Sequence, residues 1–125
     1  MARHEPNRYS GKICGDPTLQ ENRIADRLGG KRVSGSGANY HSKGDVRDVT
    51  VKDKTFLIEA KQTKNASISI KWSWLKKISR EAEDSNAEPA LAIEIKGGEV
   101  DSTTDRDWIL IPARIFNEFR ICCDE

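Results

Sequence analysis

The sequence predicts an α/β domain in which a mixed β-sheet is flanked by helices. Two observations carry this expectation. The stretches DVRDVTV and TFLIEAKQT read as two strands separated by a turn-like Lys52-Asp53-Lys54, which predicts an antiparallel hairpin. Around them, two segments place apolar residues close to the 3.6-residue period of a helix, and two short apolar runs of strand length follow.

Taken in order, residues 1–15 are polar with scattered basic side chains and read as a flexible N-terminal arm, leaving 16–125 as a single domain. DPTLQENRIADRLGG opens with helix-start chemistry, Asp16 or Thr18 as N-cap and Pro17 in the first turn. Leu19, Ile24, Ala25 and Leu28 give it an apolar stripe, and Gly29-Gly30 ends it. A short KRV segment and the loop SGSGANYHSKGD lead into the hairpin. In WSWLKKISREAEDSN, Trp72, Leu75, Ile78 and Ala82 mark one face of a second helix, with Pro89 as its end. ALAIEI suits a buried strand, WILIP another, and ARIFNEF a closing helix. On this reading Trp72 belongs to the core, while Trp74, off the stripe, is the exposed or interface aromatic.

Charge is distributed unevenly. Residues 1–80 hold 17 Lys/Arg and 8 Asp/Glu, a net of +9, whereas 81–125 hold 4 and 12, a net of −8. A basic half is the electrostatic footprint of a nucleic-acid binder, although paired surface faces produce the same asymmetry. The three cysteines, Cys14, Cys122 and Cys123, are odd in number and two are adjacent, which fits neither a disulfide framework nor a zinc site. No apolar run approaches the ~18–20 residues of a membrane span, and no charged-then-apolar leader opens the chain. A cytoplasmic location is therefore expected, in the host cytoplasm if the source is viral, with no membrane partner.

The chemistry concentrates on the hairpin. Along TFLIEAKQT, Phe56, Ile58 and Ala60 point to one face and Leu57, Glu59 and Lys61 to the other. A carboxylate and an ammonium side by side on a half-buried strand are costly unless they pair or bind something, and a divalent cation is a natural occupant. Asp45 opens the preceding strand, so pairing across the turn brings a second carboxylate toward Glu59. Two acids beside a lysine fit metal-assisted cleavage of a phosphodiester, with Mg2+ (or Mn2+ in its place) polarising the phosphate and Lys61 orienting water or stabilising developing charge. A Glu-x-Lys triplet arises by chance about once in a charged chain of this length. A second one, Glu94-Ile95-Lys96, follows Asp84. It has acidic surroundings and no Gly/Ser loop opening toward it, whereas Glu59 has basic neighbours, as a phosphate substrate requires.

Together, Glu21 on the first helix, the SGSGANYHSKGDV segment with Asp45, and Glu59-Ala60-Lys61 on the next strand resemble the PD-(D/E)xK nuclease superfamily. Within it they are most similar to the archaeal-type Holliday-junction resolvases, over roughly residues 16–112. The resemblance implies a restriction-endonuclease-like fold and a metal site of Asp45 and Glu59 with the Ala60 carbonyl as a further ligand. It also implies Lys61 in catalysis, Glu21 as a supporting or second-metal acid, and a homodimer that cuts branched DNA, a four-way junction, on two strands. Asp45 follows Gly44 rather than a proline, and the tail past Ile111 matches no part of the family pattern. A restriction or repair nuclease of the same superfamily is the alternative enzyme. A catalytically silent nucleic-acid-binding module, with Glu59 and Lys61 as a plain salt bridge, is the alternative of another class.

Around this set, Lys31, Arg32 and Lys43 are expected to hold phosphates and Ser34 and Ser36 to contact DNA, against the bland alternative of solvated loop residues. His41 is either a base or DNA contact, or an ordinary loop histidine. Gln62 faces away from Glu59. Trp72 and Trp74, interleaved with Lys71, Lys76 and Lys77, offer stacking surfaces beside phosphate contacts. Arg23 and Arg27 share a helical face, as a charged solvent stripe or a DNA flank.

Overall fold

The computed structural model describes residues 17–33, 44–99 and 102–122. The elements run α1 (Pro17–Leu28), β1 (Lys31–Arg32), β2 (Val46–Val51), β3 (Lys54–Thr63), α2 (Trp72–Asp84), β4 (Glu88–Ile95), β5 (Asp107–Leu110) and α3 (Ala113–Cys122). The five strands form one sheet in the order β1-β2-β3-β4-β5. Pairing is antiparallel except between β3 and β4, which run parallel, with α2 as the connection between them. This is the mixed sheet with flanking helices that the sequence predicts.

The alternation in β3 builds two cores. Phe56 and Ile58 join Ile24, Ala25, Val46, Val49, Ala90, Ala92 and Ile115, with Leu28, Ala60 and Phe119 packed against them, so one face is covered by α1 and α3. Leu57 packs with Ile78 and Ala82 under α2 on the other. The hairpin is not regular. From the turn, Val51 pairs with Lys54, Thr50 with Thr55 and Val49 with Phe56, yet Val46 pairs with Ile58, so β2 carries one extra residue between Val46 and Val49. Asp48 lies there with φ of 63°, in the left-handed region that asparagine and aspartate tolerate best among side-chain-bearing residues. The bulge is why Val46 and Val49, three apart, are buried in the same core.

Two expectations for α2 are corrected. Its stop is Asn86, not Pro89. Asn86 has φ of 57°, the Ala87 N–H reaches the Ala82 carbonyl at 2.8 Å and the Asn86 N–H reaches Glu83 at 3.2 Å, a Schellman arrangement with asparagine in the glycine position. Pro89 lies inside β4, upstream of Leu91, the first β4 residue paired with β5. Trp72 is 72% exposed rather than core. The i+3 steps from Trp72 through Leu75 to Ile78 each fall about 60° short of a full circle at 3.6 residues per turn, which leaves Trp72 roughly 120° away from Ile78. Trp74, four residues before Ile78, falls within about 40° of it and is half-buried.

Arg23 does not belong to a solvent stripe. Its guanidinium donates twice to Asp107, at 2.8 and 3.0 Å, and pairs with Glu94 at 2.8 Å. Desolvation works against this cation, and the two carboxylates more than offset it, so its pKa is raised. Arg27, more exposed, approaches Asp107 at 3.8 Å. Glu94 of the second Glu-x-Lys triplet is thus engaged by α1. No helix among the described residues is long and apolar enough to cross a membrane.

Candidate active site

Asp45 is held along its whole length. Its N–H donates to the Ile58 carbonyl, its own carbonyl accepts from the Val33 N–H, and Oδ2 accepts from the Ala60 N–H, each at 2.8 Å. The carboxylate is thereby aimed at the stretch of β3 that carries Glu59. The residue before it, Gly44, is buried with φ of 68°, and a Cβ there would meet Leu57 Cγ at 2.7 Å, so the turn into Asp45 requires glycine.

Glu59 is 9% exposed and sits between two ammonium groups. Lys61 Nζ is 3.5 Å from Oε2, and Lys77 Nζ, from α2, is 3.5 Å from Oε1. Burial, and then the charge of Asp45, raise its pKa against the lowering influence of Lys77 and Lys61. Lys61 also lies over the ring of Trp74, 4.6 Å from its centroid, in cation–π range. Behind it, Gln20 of α1, almost fully buried, donates from Nε2 to the Lys61 carbonyl at 2.8 Å, which ties α1 to this end of β3.

Glu21 joins from α1. It is buried, and its pKa is raised first by burial, with Asp45 and Glu59 adding to the rise and Arg32 opposing it. Glu21 therefore senses the charge of both Asp45 and Glu59. Arg32, expected on phosphate, donates from Nε to Glu21 Oε1 at 3.1 Å, and Lys31 beside it is exposed. Ser34, Ser36, His41 and Lys43 lie outside the described residues. Gln62 lies on the α1 face, level with Glu94 in the β3–β4 register.

Among the described residues no three or more His, Cys, Asp and Glu side chains gather into a metal-holding cage. The donors at Asp45 and Glu59 are instead two carboxylates. An all-oxygen pair suits Mg2+, which takes one or two protein carboxylates and keeps water and substrate phosphate for the rest. Burial first, and then the neighbouring charge of Asp45, raise the pKa of Glu59, and a cation bound to the pair offsets both, so the residues fit one.

No protein-family model matches the sequence, and no curated protein does. Among solved structures, the chain is similar to Hjc, a Holliday junction resolvase from the archaeal hyperthermophile Archaeoglobus fulgidus. The TM-score is 0.53 at 16% identity, covering 76% of this chain and 86% of that one. The fold is that of an archaeal Holliday-junction resolvase.

Within this resolvase fold, Gln20 and Glu81 escape the sequence reading, and Lys77, read there only as a phosphate contact beside the tryptophans, turns out to pair with Glu59. Gln20 carries a faint signal, because it shares a helical stripe with Ile24 and Leu28 and so places a polar side chain on the apolar face. Glu81 carries none, and nothing in the sequence ties Lys77 to Glu59. Lys77 and Glu81 are 3.4 Å apart at i and i+4 and read as an ordinary surface pair. Glu81 Oε1 in fact accepts from the Gly44 N–H at 2.9 Å, so α2 grips the turn that presents Asp45.

Proposed function

We propose that this chain is a divalent-cation-dependent endodeoxyribonuclease that acts on branched DNA, resolving four-way junctions as a homodimer. The observation that supports the reading is Asp45 bonded to the Ala60 N–H between Glu59 and Lys61, in a resolvase fold, with Glu21 near enough to feel both acids. Asp45 and Glu59, with the Ala60 carbonyl as a further donor, would hold Mg2+ or Mn2+, which when bound supplies Lewis-acid polarisation of the scissile phosphate. Lys61, steadied by the Trp74 ring and the Glu59 carboxylate, orients the attacking water and offers its charge to the phosphorane as it forms. Glu21 adds negative potential behind the pair and holds Arg32 at the rim. Lys31, Lys43, Ser34 and Ser36 are the backbone contacts of this reading, and the net +9 of residues 1–80 favours a polyanion.

The test is incubation of the protein with a four-way junction, a flap, a nick and a plain duplex, with and without Mg2+. Paired, symmetric nicks in the junction alone are expected. Glu59→Ala and Asp45→Asn should abolish cleavage and leave junction binding intact, because the side-chain amide introduced by Asp45→Asn still offers an oxygen to the Ala60 N–H. Full cleavage by either variant refutes the assignment. Cutting of the plain duplex at a fixed sequence would instead identify a restriction-type nuclease, and binding without any cutting would identify a silent module.

A further inference from the structure

Both oxygens of Glu59 are taken by ammonium groups, Oε2 by Lys61 and Oε1 by Lys77, each at 3.5 Å. If Glu59 is to give an oxygen to a divalent cation, as the nuclease reading requires, that cation arrives beside both ammonium groups, and repulsion falls hardest on the lysine held least firmly. The two are not equivalent. Lys61 has a side chain 28% exposed, lies against Trp74, and projects from a strand whose carbonyl at that residue is tied to Gln20. Lys77 has a side chain 58% exposed, comes from the separate element α2, and already touches a second carboxylate, Glu81, at 3.4 Å. Glu81 does not move away with it, because its other oxygen holds the Gly44 N–H at 2.9 Å.

We infer that Lys77 is an exchangeable counter-ion: it neutralises Glu59 until a divalent cation arrives, withdraws onto Glu81, and there becomes a contact for the substrate's phosphate backbone. A cation fixed to Asp45 and Glu59 and an ammonium at Oε1 of the same carboxylate repel each other, which drives the withdrawal. A lysine beside a bound junction gains a phosphate in place of the carboxylate it left. The exchange rests on the nuclease reading, and its test separates the two.

Mn2+ alone, with no DNA, is titrated into wild type, Lys77→Met, Lys77→Arg, Glu81→Gln and the Lys77→Met/Glu81→Gln double variant. Bound metal is followed by the loss of the free-Mn2+ paramagnetic resonance signal. Lys77→Met should bind Mn2+ about fivefold more tightly, the upper end of what one partly exposed ion pair contributes. Lys77→Arg should behave as wild type. Glu81→Gln keeps an oxygen for Gly44 but loses the charge that receives Lys77, so it should bind Mn2+ more weakly, and the double variant should return to the Lys77→Met affinity. In Ca2+, junction binding by Lys77→Met should weaken and its salt dependence should drop by about one phosphate contact. Mn2+ affinity of Lys77→Met equal to or below wild type, in a wild type that binds Mn2+ and cleaves junctions, overturns the exchange alone. A wild type that neither binds Mn2+ nor cleaves overturns the nuclease reading and the exchange with it.

Discussion

Replacing Gly44 with alanine strikes the site through its backbone, and the structure sets the size of the blow. At φ of 68° an L side chain costs about 1–2 kcal/mol. The new methyl would also stand 2.7 Å from Leu57 Cγ and 2.8 Å from Cδ1, and Leu57 is packed beneath α2 with 3% of its surface exposed. Overpacking of that kind adds about 1–3 kcal/mol. The sum, about 2–5 kcal/mol, corresponds to a fall in melting temperature on the order of 10 °C for a chain of this size. Urea denaturation of the wild type, Gly44→Ala, Leu57→Ala and the double variant measures it. The two substitutions should couple by about 1–2 kcal/mol, because Leu57→Ala opens the space the methyl needs while the φ strain stays. A loss below about 0.5 kcal/mol for Gly44→Ala, within the range of an ordinary surface substitution, would refute the argument that the turn into Asp45 demands glycine.

Arg23→Met should be more damaging than its helical position suggests. It leaves Glu94 and Asp107 without the guanidinium that neutralises both, and about 3–5 kcal/mol of loss in urea denaturation is expected, against near neutrality for Arg27→Met. Glu21 gives a pH signature. Its folded pKa is raised, so the folded state holds the proton longer than the unfolded one, and the native carboxylate costs stability as pH climbs past the ordinary glutamate value of about 4.3. Glu21→Gln should therefore match wild type near the low end of that range, at about pH 4, and gain on it steadily as pH rises through the raised folded value, measured by urea midpoints in the absence of divalent cation. A constant difference across that range would contradict the direction of the shift.

The parts of the fold legible in the sequence are those where local pattern and tertiary need coincide. The alternation of TFLIEAKQT sorts Ile58 from Glu59 before any packing is known, and Gly29 with φ of 74° stops α1 as its residue type predicts. Errors arise where two local rules compete. Pro89 is a strong breaker by type, but the asparagine three residues earlier adopts the left-handed cap first. Trp72 satisfies an i+3 step yet drifts off the stripe when the steps accumulate. The least legible residues depend on distant partners. Arg23 needs β4 and β5 to place Glu94 and Asp107 above it, and the pairing of Lys77 with Glu59 and of Glu81 with Gly44 exists only when the β3-α2-β4 connection lays α2 across them.

The bulge in β2 has a consequence of parity. Counting back from the turn without it, Arg47 would stand opposite Ile58 and Val46 opposite Glu59, since Val49 pairs with Phe56. Every side chain upstream of Val49 would then be turned over, and a valine would occupy the ground beside the central carboxylate. One supernumerary residue makes the count odd and restores Val46 to Ile58. The hairpin is accordingly sensitive at Asp48 to side chains that resist φ of 63°, because flattening the bulge with every residue kept would exchange inside for outside along the strand that leads to Asp45; losing one residue there would instead leave Val46 two steps from Val49 and still opposite Ile58. In this protein the chemistry is addressed by parity, the bulge that keeps Val46 against Ile58, as much as by the identity of the acids themselves.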